Sequence, residues 1–282
     1  MRILIVGHGV VGKNLEKELE VLHPDVIDKY KPQENKIAVK CEEPHYDIAF
    51  ICVDTPIRRE ERVLCDTSEV KNAIMENEAE IYVIKTTEQL RVKTGKRIIF
   101  SPEYYGGTQH CNNFQFDFTI LGGERKACIE VIQVLQHVYD ARHQFRITDS
   151  RTAELTKYME NSFLATKVSF CQQFYFIASE MDVDYEELRE LFVLDPRVNP
   201  SHTFVDRLHP YWSSHCLDKD VPAIADAYEA SLLQEIIKFN ENTKKCLGII
   251  RRAEIPEGIK NDMLMYQAGV RRKEILKDRE TP

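Results

Sequence analysis

The sequence predicts an α/β protein in two parts: a doubly wound parallel sheet over residues 1–149, then a helical domain over residues 150–282 built on a long central helix. Three observations predict it. Short apolar runs alternate with helical patterns through the first half. A glycine-rich turn joins the first such run to a helix. Residues 151–181 then contain no Gly or Pro and carry apolar side chains on more than one face.

The bounds are set by length and charge. A chain of 282 residues, 43% hydrophobic, can bury two adjoining cores. A formal net charge of −8 disfavours a nucleic-acid or anionic-membrane surface. No apolar run approaches the roughly 20 residues that span a bilayer, so the expectation is a cytoplasmic protein with no membrane partner. The eight cysteines (Cys41, Cys52, Cys65, Cys111, Cys128, Cys171, Cys216 and Cys246) form no CxxC pair, which argues against a disulfide framework or structural zinc.

In order, Arg2–Val6 reads as a strand buried on both faces. Gly7-His-Gly-Val-Val-Gly12 is the turn, and Val11, Leu15, Leu19 and Leu22 follow at helical spacing. A second strand, Asp25–Asp28, ends in a carboxylate. A lone GxGxxG is weak, but between strand and helix, with an acid at this distance, it marks a dinucleotide-binding Rossmann unit. Gly7 permits the tight turn, Gly9 the approach of a pyrophosphate, and Gly12 close helix–strand packing. Asp28 is suited to ribose hydroxyls and repels a 2′-phosphate, favouring NAD over NADP, although Lys29 and Lys31 oppose that preference. Tyr46–Val53, Glu80–Ile84 and Arg97–Phe100 read as further strands. Their following loops, Asp54–Pro56, Lys85–Thr87 and Ser101–Gly107, are expected to line the cleft beyond the carboxyl ends of the strands. Phe118–Leu121 and a helix over about 124–139 complete the alternation.

On the long helix, Lys157 and Asn161 lie four residues apart and share a face. A solvated strip is the ordinary reading of such a pair. Near the Trp212–Asp220 segment, Pro222 is expected to open an amphipathic helix running to about Leu247. Cys216 would then stand just ahead of a helix N-terminus, beside His215 and near Lys219, a setting that favours thiolate. Inert packing is the alternative. His202, His209 and His215 invite a metal reading, but their spacing fits no familiar ligand set.

Six segments in order carry a resemblance: Val6–Gly12, Phe50–Pro56, Ile84–Thr87, Ser101–Tyr104, Ala153–Phe170 and Cys216–Asp220. Together they resemble the nucleotide-sugar dehydrogenase family, of the UDP-glucose 6-dehydrogenase type. The resemblance implies oxidation of a sugar primary alcohol to a carboxylate with two NAD, through a thioester on Cys216. It implies that Lys157 and Asn161 polarise the reacting oxygen, that Asp220 and Thr87 organise a water, and that Glu103 is the base for hydrolysis. The cofactor positions are Gly7, Gly9, Val10, Val11, Gly12, Asp28, Val53, Thr55, Pro56 and Thr86, with Lys219 reaching toward the cofactor. The implied partner is a nucleotide sugar of the UDP class; a second copy of the chain, paired through the long helix, is expected from that helix's apolar side chains on more than one face.

The chain departs from the family pattern where Tyr211–His215 replaces a glycine-rich loop, Gly107 replaces a second glutamate, and Glu88–Leu90 replace a Pro-Gly turn. It also ends soon after the linking helix, so the family's C-terminal nucleotide-binding domain is expected to be missing, and the basic residues Arg271–Lys273 and Lys277–Arg279 to be a linker stub or surface cap. Two alternatives remain open: a two-domain dehydrogenase of the β-hydroxyacid type, which needs no cysteine, and a non-catalytic NAD-binding homologue acting with a partner.

Overall fold

The computed structural model describes residues 1–37, 45–56, 65–87, 95–105 and 116–253. Cys41, Glu88–Leu90, Gly107, Cys111 and the basic stretches near residues 271–279 lie outside them. The chain divides into two compact units, Met1–Glu160 and Asn161–Pro282.

The first unit holds a seven-stranded sheet of β1 (Ile3–Val6), β2 (Asp25–Ile27), β3 (Tyr46–Ile51), β4 (Ala79–Ile84), β5 (Arg97–Phe100), β6 (Phe118–Gly123) and β7 (Gln144–Thr148). Their order is β2-β1-β3-β4-β5-β6-β7. Pairing is parallel from β2 through β5, antiparallel between β5 and β6, and parallel again between β6 and β7. Strand alternation explains why the runs read as wholly apolar. Ile3 and Ile5 face one side with α1 (Val10–Glu18) and α3 (Arg125–Leu135), whereas Leu4 and Val6 face the other with α2 (Ser68–Glu76). The doubly wound α/β sheet is as expected.

Strand β7 is an addition that the apolar pattern did not reveal. It sits at the sheet edge, and only Phe145 and Ile147 of its five residues are apolar. An edge strand half open to solvent needs no continuous apolar run.

The long helix α4 spans Ser150–Glu180, matching the stretch without Gly or Pro. Its first turns belong to the sheet unit. Ala153 is buried in the cluster formed by Leu4, Ile51 and Phe100, and a Cβ added at Gly122 would lie 2.5 Å from the Ala153 Cβ. That glycine lets the helix start close against β6.

The second unit comprises the remainder of α4, then α5 (Tyr185–Phe192), α6 (Leu217–Ala227) and α7 (Ser231–Ala253). The expected single helix from Pro222 to Leu247 is corrected to two helices, with Pro222 inside α6 and not in its first turn. The helix begins earlier because Ser214 caps it: its Oγ accepts the Leu217 N–H and its carbonyl accepts the Asp218 N–H, each at 3.0 Å. It ends where Glu229 takes a left-handed conformation (φ +50°) and Ala230 N donates to the Ala225 carbonyl at 3.0 Å. That closure is a Schellman motif built without glycine, so no composition signal marks it.

Candidate active site

In the sheet unit the three loop glycines differ in what a side chain would meet. Gly7 has φ +94°, and a Cβ there would meet the Cys52 carbonyl at 2.7 Å. At Gly12 a Cβ would stand 1.9 Å from the Gly7 carbonyl oxygen. Gly9 caps α1, and a Cβ there would meet nothing within 4 Å. The helix's first turn carries no acidic residue, so its unpaired N–H groups offer a cradle for a phosphate. Val10 is exposed at this turn, while Val11 packs against the core.

Asp28 is buried beside this loop, at the end of β2. Its carboxylate accepts main-chain N–H groups from His8 (2.7 Å), Tyr30 (2.8 Å) and Lys31 (2.9 Å). Burial alone would push its pKa up, but these three donors hold it below the ordinary value. Oδ2 carries one of the three bonds and keeps capacity for a ligand hydroxyl.

His8 was missed by sequence reasoning. Its buried ring bridges Glu34 (Nδ1, 2.7 Å) and Glu16 (Nε2, 2.8 Å), tying the glycine loop to α1 and to the turn after β2. A histidine between two glycines gives no hint of such partners, which come from 8 and 26 residues away.

The loops after β3, β4 and β5 are joined by side-chain contacts. Thr55, fully buried, donates to the Thr87 carbonyl at 2.8 Å and so joins the Val53–Pro56 loop to the Lys85–Thr87 loop. The Thr86 hydroxyl is buried without a hydrogen-bond partner among the described residues, an atom placed to serve a ligand. Glu103 is half-buried 3.4 Å from Lys85, and its Oε1 accepts the Tyr104 and Tyr105 N–H groups at 2.5 and 2.9 Å. Burial pushes its pKa up, against the opposing pull of Lys85 and of those two donors. Lys85 also reaches Ser101 Oγ at 3.3 Å.

Lys157 is buried, which overturns the solvated-strip reading. Its ammonium lies 2.9 Å from Glu160 and 4.6 Å above the Tyr104 ring, next to Glu103 in sequence.

In the helical unit Asn161 and Asp220 come together. Asn161 Nδ2 donates to Asp220 Oδ2 at 2.6 Å, with both residues buried. Asp220 Oδ1 pairs with Lys219 Nζ at 2.7 Å. Cys216 is exposed at the start of α6 with helical dihedral angles, φ −77° and ψ −51°. By contrast Cys52, Cys65, Cys128, Cys171 and Cys246 are buried, and burial pushes Cys52 up to about 12. Of the three histidines, His209 pairs with Asp206 and His202 with Ser201. Among the described residues no group of three or more His, Cys, Asp or Glu side chains gathers as a ligand set.

Residues 151–242 match the model of the UDP-glucose/GDP-mannose dehydrogenase family, central domain. Over those residues the chain is similar to that family's central domain. The match spans Lys157, Asn161, Cys216, Lys219 and Asp220. Over 269 residues the chain is 26% identical to a UDP-N-acetyl-D-mannosamine dehydrogenase of Methanococcus aeolicus, covering 87% of this chain and 59% of the relative. It is 23% identical over 229 residues to a UDP-glucose 6-dehydrogenase of Rhizobium meliloti, covering 72% of this chain and 52% of the relative. The chain thus spans between about half and three-fifths of these two relatives. In fold it is similar to a UDP-glucose dehydrogenase from Pyrobaculum islandicum, with TM-score 0.71, 19% identity, and coverage of 90% of this chain and 71% of that one. No helix among the described residues is long and apolar enough to cross a membrane.

Proposed function

We propose that the protein oxidises the C6 primary alcohol of a nucleotide sugar, of the UDP class, to the carboxylate in the cytoplasm, with NAD as oxidant. The observation that carries this reading is the buried Asn161–Asp220–Lys219 cluster at the root of α6, the helix whose first turn presents Cys216. A buried carboxylate held by an amide and an ammonium, beside an exposed thiol, suits nucleophilic catalysis better than packing.

The sheet unit fits a dinucleotide: Gly9 leaves the loop open, the first turn of α1 is free of acids, and Thr86 offers a buried hydroxyl. NAD, when bound, accepts one hydride at each of two oxidations. Gly7, Gly9, Val10, Val11 and Gly12 would hold its phosphates, Asp28 its ribose, and Val53, Thr55, Pro56, Thr86 and Lys219 the remainder.

The chain's own residues then act in sequence. Lys157 and Asn161 stabilise the negative oxygen as the alcohol loses a proton and a hydride to become an aldehyde. Asp220 and Thr87 hold the water that takes the proton. Cys216 Sγ bonds to the aldehyde carbon as its S–H bond breaks, and that proton passes to the carbonyl oxygen to give a thiohemiacetal. Loss of the second hydride and of that proton leaves a thioester. Glu103 deprotonates a water, which attacks; the carbon–sulfur bond breaks and Cys216 regains its proton.

A second copy completes the assembly in this reading. Leu155, Met159 and Phe163 follow one another at four-residue spacing on α4 and are 58%, 75% and 62% exposed, an apolar stripe that dimerisation would cover.

The test is NADH production with a panel of nucleotide sugars, followed by mass spectrometry of the product. Two NADH per carboxylate, abolished in Cys216→Ser, is the expected result. Full activity in Cys216→Ser would move the protein to the β-hydroxyacid type, and thermal stabilisation by NAD without turnover would make it a binding homologue.

A further inference from the structure

The turn that carries Cys216 lies at the end of residues 193–216, which form no helix or strand between α5 and α6. No ladder of main-chain bonds fixes its position, so side chains must. Trp212, four residues before the thiol, is the anchor. Its indole is buried with Ala165 and Val221, and Nε1 donates to Ser169 Oγ on α4 at 2.9 Å. Its main chain is held from α7. Asn240, fully buried, accepts the Trp212 N–H at Oδ1 and donates from Nδ2 to the Trp212 carbonyl, both at 2.9 Å. Gln172 on α4, with its amide oxygen turned to this side, accepts the Tyr211 N–H at 2.8 Å.

We propose that Asn240 is a positioning residue for Cys216: by clamping both main-chain polar atoms of Trp212 it sets where the thiol-bearing first turn of α6 begins. The physical reason is that the two atoms are buried and have opposite polarity. An amide is the side chain that answers a donor and an acceptor at once. Without it the Trp212 N–H keeps only the longer 3.2 Å bond to Gln172, while the carbonyl must find water, which the segment can reach only by moving outward. Ser214 caps α6 two residues further on, so a displaced Trp212 carries the cap and Cys216 with it. The Ser169 bond differs in kind. It fixes the indole and leaves the main chain to Asn240.

The proposal rests on Cys216 being the nucleophile assigned above, and its test is read without turnover. Alkylation of Cys216 by iodoacetamide is followed in the folded full chain at pH ~7, resolved from the other cysteines by peptide mass spectrometry. In Asn240→Ala the rate is expected to fall about tenfold, as for a thiol withdrawn from a helix N-terminal turn. In Ser169→Ala, which also strands a buried polar group, it is expected to stay within about twofold of the wild type. A general loss of stability would move both variants alike, and that outcome overturns the proposal, as does an unchanged or faster rate in Asn240→Ala. Should Asn240→Ala not fold, Asn240→Asp, which keeps the acceptor and loses the donor, is expected to slow alkylation, and a wild-type rate there overturns the proposal equally. Retained turnover in Cys216→Ser would remove the nucleophile reading while leaving the alkylation result standing.

Discussion

Asn161 and Asp220, 59 positions apart in sequence, meet through a 2.6 Å hydrogen bond with 4% and 1% exposure. The bond joins α4 to the helix that starts at Cys216. Asn161→Ala leaves one oxygen of a buried carboxylate without its donor, at a cost of about 2 kcal/mol. Chemical denaturation at neutral pH checks the value, and in the proposed reaction kcat falls with it while affinity for NAD does not.

Lys85 bears on Glu103 in the sheet unit. Burial raises the Glu103 pKa and the neighbouring ammonium opposes that rise. Removing the cation raises it further, and a base with a higher pKa is ionised over a narrower range. In Lys85→Met the acid limb of the kcat profile is therefore expected to move to higher pH, and activity on that limb to drop about tenfold for every pH unit by which it moves. A limb that stays in place would remove Glu103 as the base.

Two glycine substitutions separate folding from binding. Gly12→Ala places a methyl 1.9 Å from a main-chain oxygen, so it should lower stability by about 3 kcal/mol or more. Gly9→Ala meets nothing and should change stability by less than about 0.5 kcal/mol, while weakening NAD about tenfold or more because the methyl occupies the phosphate's approach. Thermal melts with and without NAD read both effects.

Asp28 sets a pH dependence. Its folded-state pKa lies below the ordinary value, since the three main-chain donors outweigh burial. A depressed carboxyl stabilises the fold above its unfolded pKa, and that stability is lost as pH falls through the folded value. Asp28→Asn is thus expected to melt below the wild type at neutral pH, with the gap narrowing as pH falls below the ordinary aspartate value of about 4. A constant gap across that range would show that the carboxylate's charge is not involved.

Met159 tests the apolar stripe. Met159→Glu adds a charge to the centre of Leu155–Phe163 and should leave the monomer folded but unable to pair. Light scattering of wild type and variant side by side gives the answer; equal masses would sink the dimer.

The glycine loop and the loops at the strand ends were legible because their chemistry is local. Gly7 and Gly12 are required by contacts within the βα turn and with the adjoining strand, and the apolar runs follow from a sheet covered on both faces. His8, by contrast, looked like filler between glycines, because Glu16 and Glu34 become its partners only when α1 and the turn after β2 fold back to it. The break between α6 and α7 was hidden for a related reason: a left-handed Glu229 stands where glycine would have announced it.

The sequence by itself determined the alternation of strands and helices, the glycine-rich turn after β1, the extent of α4, and Cys216 and the Lys157–Asn161 pair as candidates. Those features rest on spacing and on local backbone needs. Tertiary structure decided that Lys157 is buried against Tyr104, that Asn161 holds Asp220, that Cys216 takes helical dihedral angles at the start of α6, and that Asn240 fixes Trp212. Each of these depends on a polar group finding its complement across tens of residues, and burial makes such matches obligatory without leaving a pattern along the chain.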